Sequence, residues 1–455
     1  MKTSKFTQVE LKKWTKGHWI SDTDIKIPQI SINTRTIKKG EAYMAIKGDT
    51  FDGNSFIEDA IEKGASAIIT DSKARAEGIP IPTLIVNDTK TALGDIAKNY
   101  IRKLDIPVIG ITGSSGKTTV KEMVAAIFST TYKICYTHGN LNNDMGLPLS
   151  ILQLNNESQF GIFEIGSNHP GEIEYLSSIL QPDISIITNS GNAHIGNFKT
   201  EQAIADEKGE ILKALRTDGT AILNRDNKFF DYHKSLCKCR DIISVSIEND
   251  AEITLNNIND DMIKIKLPND DVLEYSLPIP GKHNIINSMQ AIAVAISYDI
   301  EPERIADALK TFLPTGMRWQ TIKKQEVTYI NDAYNANPES MKVAIETFAH
   351  QYIQEQSCLI LGGMLELGET VEQEHIQLGE FISKFNWNKI ILVGQYAENI
   401  KQGILLNNFP DEKIIVCTNN QEASASIRSG YIKNCKQAFL KASRGFKLEE
   451  ILNNI

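Results

Sequence analysis

The chain has 455 residues, 41% hydrophobic and 23% charged, with a formal net charge of −9. That length predicts two to four domains, and the acidic balance argues against non-specific nucleic-acid binding, which needs a basic surface. No apolar run reaches the roughly 18 residues that suggest a membrane span, so neither a nucleic acid nor a membrane is an expected partner. The opening residues, Met1-Lys2-Thr3-Ser4-Lys5-Phe6, lack the apolar core of a signal peptide. The six cysteines are scattered, and the close pair, Cys237 and Cys239, has no second pair at zinc spacing. Free thiols in a reducing cytoplasm are the expectation.

Up to about Tyr100 the chain mixes short strands and helices. Gly64–Asp71 and Pro82–Asp88 are apolar runs ended by polar turn residues, and Ala92–Leu104 reads as a linking helix. An apolar run, Ile106–Thr112, then leads into Gly113-Ser114-Ser115-Gly116-Lys117-Thr118-Thr119 and a helical stretch, Val120–Phe128. Strand, glycine loop, Lys-Thr, helix is the layout of a phosphate-binding loop. Glycines let backbone N–H groups turn toward a polyphosphate, and the helix N-terminus adds partial positive charge. Lys117 would reach the outer phosphates, and the Thr118 hydroxyl would hold Mg²⁺. The spacing is short, because two residues, not four, separate Gly113 from Gly116.

Buried strands and helices then alternate. Phe160–Ile165, Ile184–Thr188 and Ala221–Asn224 are near-continuous apolar runs, as suits a parallel sheet covered on both faces. Residues 241–277 alternate over short segments and read as a small antiparallel patch. Pro278–Ala295 enters a helix. Beyond Gly316, the runs Ser357–Gly363, Lys389–Gly394 and Lys413–Cys417 alternate with helical stretches, as in a doubly wound α/β domain. The expected organisation is α/β with three domains, at residues 1–100, 101–315 and 316–455.

Three further residues draw attention. Glu164 ends the strand after the loop, where an acid meets a loop-held metal; it equally suits a cap on the turn that follows. His194 lies in the loop after the next strand, at an edge where open α/β sheets bind ligands, though a lone loop histidine is ordinarily solvated. Lys208 lies on the amphipathic stretch Ile204–Leu212 and by itself reads as a surface lysine.

Several stretches resemble signatures of the Mur ligase family. They are Asn140–Gly146, Glu164–Ile173, Gly281–Asn287 and Asn331–Pro338, and they come in the family's order. The short Gly-x-x-Gly-Lys-Thr loop is the form that family uses. Tyr334–Pro338 and Met364–Glu369 resemble the members that join D-alanyl-D-alanine to UDP-N-acetylmuramoyl-tripeptide. The resemblance implies an N-terminal uridine-nucleotide-binding domain, a central parallel-sheet ATPase domain and a C-terminal Rossmann-like domain.

It also implies roles. Gly113 to Thr119 would bind ATP with Asn284 and Asn287, which would face the adenine, and with Arg318 and Asp332. Thr118 and Glu164 would hold one Mg²⁺ and His194 would help hold a second. Lys208 matches a lysine that relatives carbamylate, which turns a cation into an anionic metal ligand. Unmodified lysine has a pKa near 10.4, so such a site must favour the neutral amine. Substrate contacts would come from Thr34, Arg35 and Lys47, from Asn140, Asn142 and Asn143, from Tyr334, Asn335 and Asn337, and from Ser443 and Arg444. Many relatives carry Asp where this chain has Asn33, His at Asn54 and Asp at Gly363. The implied chemistry is phosphorylation of a carboxylate by ATP, then attack by the dipeptide amine, by a monomeric cytoplasmic enzyme. Three alternatives stand beside it: another amide ligase of the superfamily, adding a single amino acid to the muramoyl peptide or glutamate to folate; a phosphate-loop kinase or NTPase; and a non-catalytic nucleotide-binding scaffold.

Overall fold

The apolar runs ended by polar turns do form strands, and their length sets how many neighbours each can pair with. The computed structural model describes residues 5–21, 24–48, 51–259 and 261–455. Met1 to Ser4 of the opening segment, and Asp49 and Thr50, therefore lie outside the described residues. The backbone divides into two units: Met1–Gly110, Tyr132–Ser167 and Gly171–Asp183 form the first; Ile111–Thr131, Asn168–Pro170 and Ile184–Ile455 form the second.

In the first unit, Ile30–Ser31, Ala42–Met44, Ala67–Thr70 and Thr83–Ile85 lie parallel in that order, and His18–Trp19 closes the edge antiparallel. The inner strands are buried along their whole length, as both-face burial requires. The helix Thr89–Leu104 starts on an Asp88 side-chain cap and buries Leu93, Ile96, Ala97, Tyr100 and Ile101 along one stripe. Phe160–Glu164 pairs parallel with Ile134–Tyr136 and is also fully buried.

The second unit carries two sheets. In one, Ile184–Ile187, Thr220–Asn224, Asp241–Ser246 and Ile253–Asn259 are successive parallel neighbours. Met262–Lys266 and Val272–Ser276 extend it antiparallel. The antiparallel patch expected over 241–277 is thus confined to its later part. Asp241–Ser246 instead continues the parallel array, because Val245 and Ser246 are buried among neighbours and Ser246 is held by the Asp226 carboxylate. The other sheet runs Gln320–Lys324, Val327–Asn331, Gln437–Lys441, Ser357–Gly362, Lys389–Val393, Ile414–Cys417, parallel except for the first strand. Side chains alternate between two apolar faces. Cys358, Ile360, Ala438 and Leu440 pack with Ala423, Leu448 and Ile451, while Phe439 stacks on Phe348 on the opposite face. This is the doubly wound α/β arrangement expected for the C-terminal part.

Two helices against this sheet, Val371–Ile382 and Ala397–Leu405, touch backbone to backbone. A Cβ at Gly403 would lie 1.9 Å from the Ile376 carbonyl oxygen, and one at Gly379 would lie 2.1 Å from that of Ile400. Backbone cannot yield as a side-chain tip can. Gly403→Ala gains about 1 kcal/mol of helix propensity but forces overpacking of up to about 3 kcal/mol. The net expectation is a loss of roughly 2 kcal/mol, read as a lower urea midpoint. An unchanged midpoint would contradict this packing.

Candidate active site

The strand Val108–Thr112 is buried throughout and delivers the chain into the glycine loop. Gly113 has φ +148° and Gly116 φ +78°. A Cβ at Gly113 would sit 1.9 Å from Thr188 Oγ1, and one at Gly116 would sit 2.6 Å from Asn287 Oδ1. Position 116 therefore favours glycine by its positive φ, and position 113 also by space, because hydrogen bonds to Thr112 O and Ser115 O fix the Thr188 hydroxyl. The two residues between them are tied to the loop after Ile184–Ile187. Ser114 N–H donates to Asn189 O (3.0 Å) and Ser115 N–H to Asn189 Oδ1 (2.9 Å). Asn189 Nδ2 donates to Ser115 Oγ (2.7 Å), Thr188 Oγ1 to Ser115 O (2.5 Å), and Gly191 N–H to Ser114 Oγ (2.9 Å). The helix Lys117–Phe128 begins at Gly116 with no side-chain cap, so its N-terminus is fitted to an anion. Lys117 Nζ donates to Gly113 O at 2.6 Å, across the loop. Thr119 lies in the first turn of the same helix.

Around the loop, several expected residues come together. Arg318 Nη2 donates to Thr118 Oγ1 (2.9 Å), and its guanidinium lies 4.0 Å from the Tyr334 ring centroid. Asp332 accepts from the Trp319 N–H (3.1 Å) and pairs with Lys441 Nζ at 2.5 Å. Lys441 also donates to Asn335 O (3.3 Å). Asn284 and Asn287 are buried on the helix Lys282–Ile296. Asn284 Nδ2 donates to Pro280 O (2.7 Å), and Asn287 Nδ2 donates to Asn284 Oδ1 (3.4 Å). His283, beside them, is pushed down to about 4 by burial, with the nearby Asp332 carboxylate opposing and Lys441 reinforcing. Its Nδ1 is buried without a hydrogen-bond partner.

His194 is not a solvated loop residue. It is mostly buried, adopts φ +59°, and its Nδ1 contacts the Glu366 carboxylate. Burial lowers its pKa; Glu366 opposes this, while the charges of Lys117 and Lys208 add to the lowering. Lys208 is only 2% exposed, which overturns its reading as a surface lysine. The helix Glu201–Lys213 turns it inward on the face that also buries Ile204, Ala205, Ile211 and Leu212.

In the first unit, Glu164 ends its strand buried, and Asn142 Nδ2 donates to its Oε1 at 2.7 Å. Asn142 O accepts from the Gly166 N–H (2.9 Å), and Asn140 O from the Asn142 N–H (2.8 Å). Asn143 Oδ1 accepts from the Gly146 N–H (2.8 Å). Thr34 is buried and its hydroxyl helps hold the Asp59 carboxyl below its usual value. Arg35 is exposed, its N–H bonded to Asn33 Oδ1 (2.9 Å), and Lys47 forms an isolated bridge with Asp52. Asn54 is buried and engaged on both sides, donating to Asp52 Oδ1 (2.9 Å) and accepting from Thr70 Oγ1 (2.6 Å).

Two expected substrate residues of the second unit have backbone partners. Asn337 caps the helix Pro338–Gln351 in a capping box, and Ser443 Oγ donates to Ala336 O (3.0 Å) while accepting from the Leu365 N–H (2.9 Å). Arg444 pairs with Glu449 at 2.6 Å. Sequence reasoning missed Lys441 as the partner of Asp332, Asn189 as the brace of the loop, and Glu366 as the partner of His194. Each lies at or just beyond the carboxyl end of a strand, which is the signal that could have found them.

Two tests follow from this geometry. Gly113→Ala places a methyl on Thr188 and should weaken ADP binding by more than about tenfold, or ~1.4 kcal/mol, in calorimetric titration. Wild-type affinity would contradict the loop account. For His283, the unfolded state binds more protons than the folded one between the ordinary value of 6.5 and about 4. Stability therefore rises with pH through that window and is lost on acidification. His283→Asn should flatten the urea midpoint against pH there, although His233 and His375, also lowered by burial, keep part of the slope.

Comparison with known proteins accounts for the arrangement. Residues 26–101 match the model of the Mur ligase family catalytic domain, 111–295 the Mur ligase middle domain, and 317–435 the Mur ligase glutamate ligase domain. The UDP-N-acetylmuramoyl-tripeptide–D-alanyl-D-alanine ligase of Bacillus subtilis (strain 168) is 34% identical over 94% of this chain and 92% of its own length. The Escherichia coli (strain K12) enzyme of that name is 33% identical over 84% of each. A crystal structure of MurF from Acinetobacter baumannii superposes with a TM-score of 0.89 at 30% identity, covering 99% of this chain and 98% of that one. MurF from Thermotoga maritima in complex with ADP gives 0.81 at 25% identity, over 94% and 96%. With matching models over most of its length and relatives this similar across almost all of it, the chain belongs to the Mur ligase family.

Proposed function

We propose that this chain is an ATP-dependent, ADP-forming ligase that joins D-alanyl-D-alanine to UDP-N-acetylmuramoyl-tripeptide, making the pentapeptide precursor of peptidoglycan. The observation that carries this reading is the short loop at Gly113–Thr119, braced by Thr188 and Asn189 over an uncapped helix N-terminus. Relatives bearing that activity in their names align over nearly the whole chain. A neighbour solved with ADP supports the nucleotide.

A carboxylate is a poor acyl donor, so the reaction must activate it. The peptide carboxylate attacks the γ-phosphorus of ATP; an O–P bond forms, the β,γ-bridging bond breaks, and ADP leaves. The dipeptide amine then attacks the acyl carbon. A C–N bond forms, the amine loses a proton, and phosphate departs with the C–O electron pair. Negative charge accumulates in both steps. Lys117 and the uncapped first-turn N–H groups of the helix Lys117–Phe128 would receive it, the Ser114 and Ser115 N–H groups being held by Asn189. Asn284 and Asn287 would hold the base, and Arg318 and Asp332 the nucleotide beside the loop.

By the chemistry of its donors the set would suit magnesium. Thr118, on giving up the bond it accepts from Arg318, and Glu164 would each supply an oxygen of the kind hard cations prefer, and His194 with a carbamylated Lys208 would hold a second ion. Among the described residues no three His, Cys, Asp or Glu side chains gather as a ready site. Hydroxyl, phosphate and carbamate oxygens would complete one. Bound there, the cations would neutralise charge on the phosphates. Thr34, Arg35, Lys47, Asn140, Asn142 and Asn143 would contact the UDP-linked substrate, and Tyr334, Asn335, Asn337, Ser443 and Arg444 the incoming dipeptide. The reading divides the work among residues 1–100, 101–315 and 316–455 of a monomer. The reading places the enzyme in the cytoplasm, where UDP-linked precursors and ATP would be at hand; no helix among the described residues is long and apolar enough to cross a membrane.

Lys117→Ala should keep the circular dichroism of the wild type while phosphate release with both substrates falls about a hundredfold or more. Near-normal turnover in that variant would sink the mechanism.

A further inference from the structure

We propose that Glu366 is a positioning residue. It fixes the proton of His194 on Nδ1 and so leaves Nε2 as the nitrogen offered to a divalent cation. The inference rests on the metal reading of His194 given above.

An ionised carboxylate can only accept a hydrogen bond. The contact between His194 Nδ1 and Glu366 Oε2 therefore requires the proton on Nδ1. In a neutral ring, the remaining lone pair is then on Nε2. A ligating histidine held through its other nitrogen by a carboxylate has both its tautomer and its orientation set in advance.

The backbone shows that the contact is built rather than casual. Gly196, two residues after His194, donates its N–H to Glu366 O at 3.1 Å. A Cβ at Gly196 would lie 2.8 Å from that oxygen and 3.0 Å from Gly368 N, so only glycine permits the approach. Both partners are non-glycine residues in the left-handed region, His194 at φ +59° and Glu366 at φ +65°. Such conformations persist where surrounding contacts over-determine them. Here those contacts are visible. The Met364 N–H donates to His375 Nε2 (2.8 Å), while His375 Nδ1 donates to Val371 O (2.5 Å). The Leu365 N–H donates to Ser443 Oγ (2.9 Å), and the Ser443 N–H to Gly363 O (3.0 Å). Glu366 is thus presented by a loop fastened to its own sheet through His375 and Ser443. His194 follows a strand of the other sheet in the same unit. The Glu366 side chain is half-exposed, so its removal leaves the fold intact.

The test uses Mn²⁺ as the probe, titrated by electron paramagnetic resonance into the full-length chain with saturating ADP. Glu366→Ala should weaken the Mn²⁺ affinity about 10- to 100-fold. Glu366→Gln, whose amide oxygen still accepts from Nδ1–H, should recover most of it. Gly196→Ala, which pushes the loops apart without touching either side chain, should reproduce the loss. In ¹⁵N-histidine spectra, wild-type His194 should carry its proton on Nδ1 and the alanine variant should show a mixture. A wild-type proton on Nε2, or unchanged Mn²⁺ affinity in Glu366→Ala, overturns the inference alone. A wild type that binds no Mn²⁺ beyond that held by ADP overturns the metal reading, and this inference with it.

Discussion

The closeness of the Gly113–Gly116 turn to the segment Thr188–Gly191 is the constraint from which the rest of the site follows. The Thr188 hydroxyl occupies the space a side chain at 113 would need, and it holds the Ser115 carbonyl. Asn189 grips Ser115 from both ends of its amide and takes the Ser114 N–H on its carbonyl. With the turn pinned by its neighbour, two residues suffice where longer loops use four. The helix that begins at Gly116 then starts with its N–H groups uncapped and Lys117 reaching back over the turn. Asn287 packs against Gly116, and Arg318 meets Thr118, so the elements that follow in sequence are registered on this one loop.

Charge is arranged with the same economy. The chain is acidic overall, yet Lys117, Arg318 and Lys441 cluster around the loop region of the second unit. Lys441 is buried and matched by Asp332, which keeps an otherwise costly cation in place. His194 and His283 are both lowered by burial, and the cations near each favour the neutral ring. A neutral imidazole can donate from one nitrogen and accept at the other, which a protonated ring cannot. The site thus keeps its positive charge on lysine and arginine, where it meets anions, and its histidines available as directed polar groups.

Much of this was legible in the sequence. Near-continuous apolar runs mark the buried strands, and the glycines of Gly113 to Thr119 mark the sharp turn from strand into helix. Local pattern failed where partners lie far away in the chain. Lys208 looks like a surface residue because its helix is amphipathic and lysine is ordinarily solvated, yet the helix turns it inward. Asp241–Ser246 alternates like an exposed strand, but its pairing is set by Thr220–Asn224, which no local period reveals. Asn337 belongs to a motif that suggests substrate contact, and its side chain caps a helix. Glu366 was hidden for the same reason as Asn189: its meaning depends on a residue 172 positions away.

The central claim is that this loop transfers phosphate to a peptide carboxylate on behalf of an incoming dipeptide amine. The most direct test is phosphate release from ATP with UDP-N-acetylmuramoyl-tripeptide and D-alanyl-D-alanine together, then with each omitted in turn. Tripeptides ending in lysine and in diaminopimelate should both be offered. The account predicts sustained release when both substrates are present, with a product heavier by one dipeptide less one water. Release from ATP alone at the same rate, or no release with either tripeptide, would contradict it.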